Sequence, residues 1–155
     1  LFVLFLEFGN FRQAILVMVN LPLALIGGII SILFTDGVIT IASLVGFITL
    51  FGIAVRNGIL MVSHYNYLIK EKNMTIADAV INGSMERLNP VLMTALTTGF
   101  ALLPLALSGE KSGSEIQSPM SIVILGGLIT ATFLNLIVIP VLFSRWGVKE
   151  SQVNN

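Results

Sequence analysis

The chain has 155 residues, 55% of them hydrophobic and 10% charged, with a formal net charge of zero. Soluble domains carry about 25% charged residues, so this composition and a mean hydropathy of +0.97 exclude a water-soluble globule and point to a membrane protein. The neutral balance gives no sign of a nucleic-acid partner, and the absence of cysteine excludes disulfides and thiolate metal sites.

Residues 1–8, LFVLFLEF, lack the initiator Met, basic region and small-residue cleavage site of a signal peptide. They read as the end of a truncated transmembrane helix that began upstream. After the turn EFGNFRQ, the run AILVMVNLPLALIGGIISILF at 14–34 is a full span, with Pro22 as a kink of the kind lipid-embedded helices tolerate. TDG at 35–37 is a tight turn. The next span covers 38–68, long enough to tilt or overshoot the hydrocarbon. The polar stretch KEKNMTIADAVINGSMERLNP, 70–90, predicts a short interfacial helix. In it Thr75 with Asp78 resembles an N-cap with an acidic first turn, and Ala77, Val80, Ile81 and Ser84 share a face. A third span, 88–107, has Pro90 near its start and Pro104 near its end. The Gly- and Ser-rich loop SGEKSGSEIQS leads to the fourth span, 119–143.

The expected fold is therefore all-α, a polytopic transmembrane helix bundle of four full spans plus the end of a fifth. Residues 1–8 form the truncated helix, 9–146 the four-helix region and 147–155 a cytoplasmic tail. Orientation follows from the loops: Arg12, Lys70, Lys72, Arg87, Arg145 and Lys149 fall on one side, and Lys111 with Asp36, Glu110 and Glu115 on the other. Lys and Arg are enriched in cytoplasmic loops, so the first side and the C-terminus are expected inside.

Arg56 lies near the middle of its span, where a charge costs at least about 2.5–3.5 kcal/mol on insertion scales. Either it snorkels to the interface, or it is a functional charge facing other helices. Thr49, Gly52, Arg56 and Ser63 share one helical face, small and polar as packed interiors are. Thr94, Thr97 and Thr98 share a face of the third span, and hydroxyls there can equally bond back to their own helix. No Asp or Glu lies in any span, and a guanidinium does not deprotonate in practice. If the bundle moves protons, the titrating carboxylates come from other chain and Arg56 is their fixed counter-charge. His64 beside Ser63 has no acidic partner in its span, so no catalytic residue is assigned, and no cofactor or metal ligand either. Gly27–Gly28 with Ser31, and Gly126–Gly127 with Thr130 and Ala131, provide small faces for close helix contact.

The runs GIAVRNGILMVSHY and ERLNPVLMTALTTGFALLPLALSGEKSGSEIQSPMSIVILGGLITATFLNLIVIPVLF resemble the last membrane helices of resistance-nodulation-division (RND) efflux pumps. The likeness begins in FLEFGNFRQAILVMVNLPLALIGG and covers nearly the whole chain. SHY and GSEIQSP resemble the heavy-metal branch, of the CzcA/CusA type. The resemblance implies a fragment of a twelve-helix transporter in the bacterial inner membrane. It further implies a homotrimer working with a periplasmic adaptor and an outer-membrane channel, exporting metal cations in exchange for protons. In the drug-exporting branch a Lys matches Arg56 and a Thr matches Thr94, both in the proton-relay network. Arg56, Thr94, Asn57 and Thr98 are therefore the expected relay residues, with the substitution of Arg for Lys a departure from that pattern. A drug or lipophile exporter of the same superfamily, or a non-transporting structural membrane subunit, are the alternatives.

Overall fold

A computed structural model describes residues 2–35, 37–109, 113 and 115–147. The described residues form five helices: α1 (Phe2–Phe8), α2 (Phe11–Phe34), α3 (Ile41–Glu71), α4 (Ile76–Leu107) and α5 (Gln117–Gly147). Helices α2 to α5 are each long and apolar enough to cross a membrane. Asp36, Glu110, Lys111 and Lys149, which carry part of the orientation argument, and the tail from 148 onward lie outside the described residues.

Local chemistry sets the helix ends. Gly9 takes a φ of +62° between α1 and α2, a left-handed turn that costs glycine little. Thr40 caps α3, its hydroxyl accepting from the Ser43 N–H at 3.2 Å. Asn73, with φ of +49°, follows the end of α3, a left-handed position that asparagine tolerates. Thr75 caps α4 as predicted: the Asp78 N–H donates to its hydroxyl at 3.3 Å, and that hydroxyl donates to Asp78 Oδ2 at 2.7 Å.

The interfacial helix expected in 70–90 is not a separate element. It runs without a break into the third span, giving a single α4 of 32 residues. Pro90 removes one backbone donor, the one that would reach the Glu86 carbonyl, and packing on both sides of it keeps the helix continuous. Before the proline, Gly83 lies against the Tyr65 ring, where an added Cβ would come within 2.6 Å of Cδ1, and Ser84 shares a hydrogen bond of 2.6 Å with the Tyr65 hydroxyl. After it, Val91 is buried. At about 1.5 Å per residue α4 is about 48 Å long, against a hydrocarbon layer of about 30 Å, so its polar N-terminal turns project beyond the layer.

Helix α5 packs against α2, α3 and α4, and the α2–α5 contact is the most extensive. The pair runs antiparallel through the predicted small faces. A Cβ on Gly27 would lie 2.7 Å from the Gly126 carbonyl oxygen, and one on Gly126 would lie 2.7 Å from Ser31 Cβ. Farther along the seam Ala24, Ala54 and Ala131 bring α2, α3 and α5 together. Below them a larger core holds Leu16, Val17, Met61, Val62, Tyr65, Ile139 and Phe143. Polar bonds tie the helix ends on that side: Gln13 Nε2 donates to Asn66 Oδ1 at 2.9 Å and Asn66 Nδ2 returns to Gln13 Oε1 at 2.8 Å. His64 Nε2 and Glu86 Oε2 are 2.7 Å apart, joining α3 to α4, so the acidic partner missing from the span of His64 comes from the next helix.

These contacts predict unequal losses. Glu86 is half exposed, so His64→Ala should cost about 1 kcal/mol or less. Tyr65 is fully buried, and Tyr65→Ala should cost about 3 kcal/mol or more. Thermal unfolding of the detergent-solubilised full-length protein measures both, and equal losses would refute this ranking.

Candidate functional site

Helix α3 divides its residues between two faces. Leu50, Ala54, Gly58 and Met61 are buried, because α2 and α5 approach closely on that side and only small or well-packed residues fit. The face predicted from Thr49, Gly52, Arg56 and Ser63 is exposed along its whole length. It therefore lies outside the contact with α2 and α5, on the outer flank of α3 beside α4. Helix α4 is the least enclosed of the four: 6% of its most apolar window is buried, against 39% for α2 and α3 and 44% for α5.

At the α3–α4 flank one residue from each expected polar stripe, Arg56 and Thr94, reaches a shared cleft. Arg56 and Asn57 from α3 and Thr94 from α4 line one narrow cleft of about 40 Å³, together with Arg87, Pro90 and Val91. Asn57 is buried, Arg56 exposed and Arg87 half-buried. Thr94 Oγ1 donates to the Pro90 carbonyl at 2.9 Å, the local back-bond that a hydroxyl in a helix can always make. Thr98 is half-buried and is not among the residues lining this cleft.

Arg87 is a cleft residue not among the expected relay residues, because a separate interfacial helix over 70–90 would put it on a different element from Thr94. In a continuous α4, Arg87 and Thr94 are two turns apart, an i, i+7 pair on one face. That spacing was the available signal.

Two permanently charged groups thus converge on one cleft. Among the described residues neither guanidinium has an ion-pair or hydrogen-bond partner, and the cleft lining contains no carboxylate. Glu86, next to Arg87 in sequence, is engaged with His64. Such a site cannot itself release a proton. It can attract an anionic group, and a carboxylate brought to it would hold its proton less tightly.

A larger cavity of about 640 Å³ opens at the opposite end of the bundle, where Thr35, Thr40, Ser43 and Ser118 meet Glu115. Its single described carboxylate and its hydroxyls do not form a convergent charged set comparable to the arginine cleft.

Residues 1–146 match the family described as the AcrB/AcrD/AcrF family. The chain belongs to that family. It is 44% identical over 140 residues to protein HelA of Legionella pneumophila. It is 39% identical over 140 residues to the cobalt-zinc-cadmium resistance protein CzcA of Cupriavidus metallidurans. Each alignment takes in 90% of this chain and 13% of the relative, so the chain spans about one-eighth of the length of these AcrB/AcrD/AcrF-type relatives. The crystal structure of a heavy metal efflux pump superposes with a TM-score of 0.79 at 40% identity, over 96% of this chain and 14% of that one. The RND resemblance and the all-helical membrane fold read from the sequence both hold.

Proposed function

We propose that this chain is the C-terminal membrane portion of a proton-driven exporter of heavy-metal cations, and that the α3–α4 cleft is where it takes part in proton coupling. The observation that carries this reading is the pair of unpartnered guanidiniums, Arg56 and Arg87, on a cleft that also holds Asn57 and Thr94. The charges face away from α2 and α5, as a site completed by carboxylates from other helices of the same pump requires. Each carboxylate is stabilised as an anion by the arginines and is neutral when it carries a proton, so protonation alters the attraction across the cleft. Arg56 and Arg87 act as fixed counter-charges. Thr94 and Asn57 supply neutral hydrogen-bonding groups beside them, and Thr98 continues the hydroxyl face one turn farther along α4.

The relatives' metal-resistance names and the heavy metal efflux pump structure support a cation substrate. In this reading the protein sits in the bacterial inner membrane with its C-terminus in the cytoplasm. It acts as a homotrimer with a periplasmic adaptor and an outer-membrane channel. Residues 1–8 close the preceding membrane helix, 9–146 form the four-helix region and 147–155 are the cytoplasmic tail.

Proteoliposomes holding the full-length pump test the assignment. Under an imposed pH gradient, added zinc or cobalt should trigger proton flux. Arg87→Gln should lower that flux about tenfold or more, the factor that corresponds to about 1.4 kcal/mol. Wild-type flux in the folded Gln variant would remove Arg87 from the coupling site, and metal transport by the wild type without proton movement would remove the coupling itself.

A further inference from the structure

The deepest polar contact in the bundle is not in the arginine cleft. Asn20 on α2 is 1% exposed and Asn135 on α5 is 0% exposed, and Asn20 Nδ2 donates to Asn135 Oδ1. Asn20 Oδ1 and Asn135 Nδ2 have no partner among the described residues. An apolar pair would avoid the cost of burying these two unmatched atoms. Buried polar pairs of this kind are poor stabilisers, and their best-attested use is to fix register between helices.

What that register controls is visible one turn to either side. Four residues beyond Asn20 and four before Asn135, Ala24 and Ala131 close on Ala54 of α3. In the other direction Val17 and Ile139 close on Gly58 of α3, where an added Cβ would lie 3.0 Å from Val17 Cγ1 and 3.7 Å from Ile139 Cδ1. Arg56 and Asn57 lie between Ala54 and Gly58. The amide pair therefore sits level with the α3 segment that enters the cleft, and the contacts on both sides of the pair grip that segment from behind.

We propose that Asn20 and Asn135 form a positioning clamp for proton coupling: their hydrogen bond sets the register of α2 against α5, and the two helices together hold Ala54–Gly58 so that Arg56 and Asn57 present to α4. The proposal rests on the reading of the arginine cleft as the coupling site. A slip of α2 against α5 would leave both helices folded but would move Ala24 or Val17 off α3, shifting Arg56 relative to Arg87 and Thr94. Asn20 and Asn135 act through α3 and are not among the residues lining the arginine cleft.

The test uses the full-length pump with Asn20→Leu, Asn135→Leu, the double N20L/N135L and, in parallel, Arg56→Ala. Thermal stability in detergent and metal-triggered proton flux across a pH series in proteoliposomes are measured for each. Each single variant leaves one amide buried alone and should lose stability. The double variant should recover stability, while its flux stays lowered roughly tenfold, within the range of couplings carried through packed residues, and its pH profile is displaced. A double variant with wild-type stability, flux and pH profile would reduce the pair to a structural contact and overturn the proposal. If N20L/N135L does not yield folded pump, Asn135→Gln carries the same test, because it keeps the amide and displaces it by one methylene. Lowered flux and a displaced pH profile at unchanged stability support the clamp, and unchanged flux and profile overturn it. Wild-type flux in Arg56→Ala would instead defeat the coupling-site reading. Loss in Arg56→Ala with wild-type behaviour in the folded double variant would defeat the clamp alone.

Discussion

Arg56→Ala in the full-length pump should abolish metal resistance at normal expression, whereas Arg56→Lys should keep a substantial part of it. Arg56 shares its cleft with Arg87 and has no anionic partner among the described residues. In the proposed pump it neutralises carboxylates supplied by other helices. Without Arg56 those carboxylates lose their fixed counter-charge, so coupling in the Ala variant should fall by more than about tenfold, the factor that corresponds to about 1.4 kcal/mol. A lysine keeps the positive charge but replaces the planar fork with a compact ammonium. It should restore charge balance without every hydrogen bond, leaving a deficit of about tenfold or less. Growth on graded zinc, cobalt or cadmium, with protein levels checked by blotting, measures both variants. Wild-type resistance in the Ala variant would mean that Arg56 is an interfacial arginine with no part in transport.

The outward position of Arg56 also shows where sequence periodicity was informative and where it stopped. Four apolar runs long enough to cross a membrane were legible, because each lies between turn-forming residues such as Thr35 and Gly37 or Asn73 and Thr75. The Thr75–Asp78 cap was legible for the same local reason. The continuity of α4 was not. Pro90 and the polar residues before it carry the local marks of a boundary, while the contacts that override them, Tyr65 against Gly83 and His64 with Glu86, come from another helix.

Because α4 is continuous, Arg87 shares an element with Thr94 and brings half the charge of the cleft. A helical face can be computed from spacing, but whether the face turns toward the neighbouring helices of the same chain depends on where the small residues are. On α3 they lie on the opposite side, at Ala54 and Gly58, so the Arg56 stripe faces out. Asn20 and Asn135 each stand in an apolar run, and nothing in one-dimensional spacing pairs residues 115 positions apart.

The same geometry makes the glycine crossing the point most sensitive to added volume. Gly27→Leu or Gly126→Leu should prevent accumulation of folded pump. At Gly27 the first added carbon would already lie 2.7 Å from the Gly126 carbonyl oxygen, and at Gly126 it would lie 3.0 Å from the Gly27 carbonyl oxygen. These neighbours are backbone, which cannot rotate away as a side chain can. Overpacking a well-fitted core typically costs about 1–3 kcal/mol, and more when the backbone must move. Here the α2–α5 contact is the most extensive in the bundle, so the two helices must separate along the seam that also carries Ala24, Ala131 and the Asn20–Asn135 pair. In lipid no hydrophobic gain offsets that separation, since helix association there depends on close packing itself. Size-exclusion chromatography of detergent-extracted variants distinguishes the outcomes. A monodisperse Gly27→Leu pump with wild-type thermal stability would show that the seam opens easily, and would leave the clamp proposed for Asn20 and Asn135 with no rigid crossing to act through.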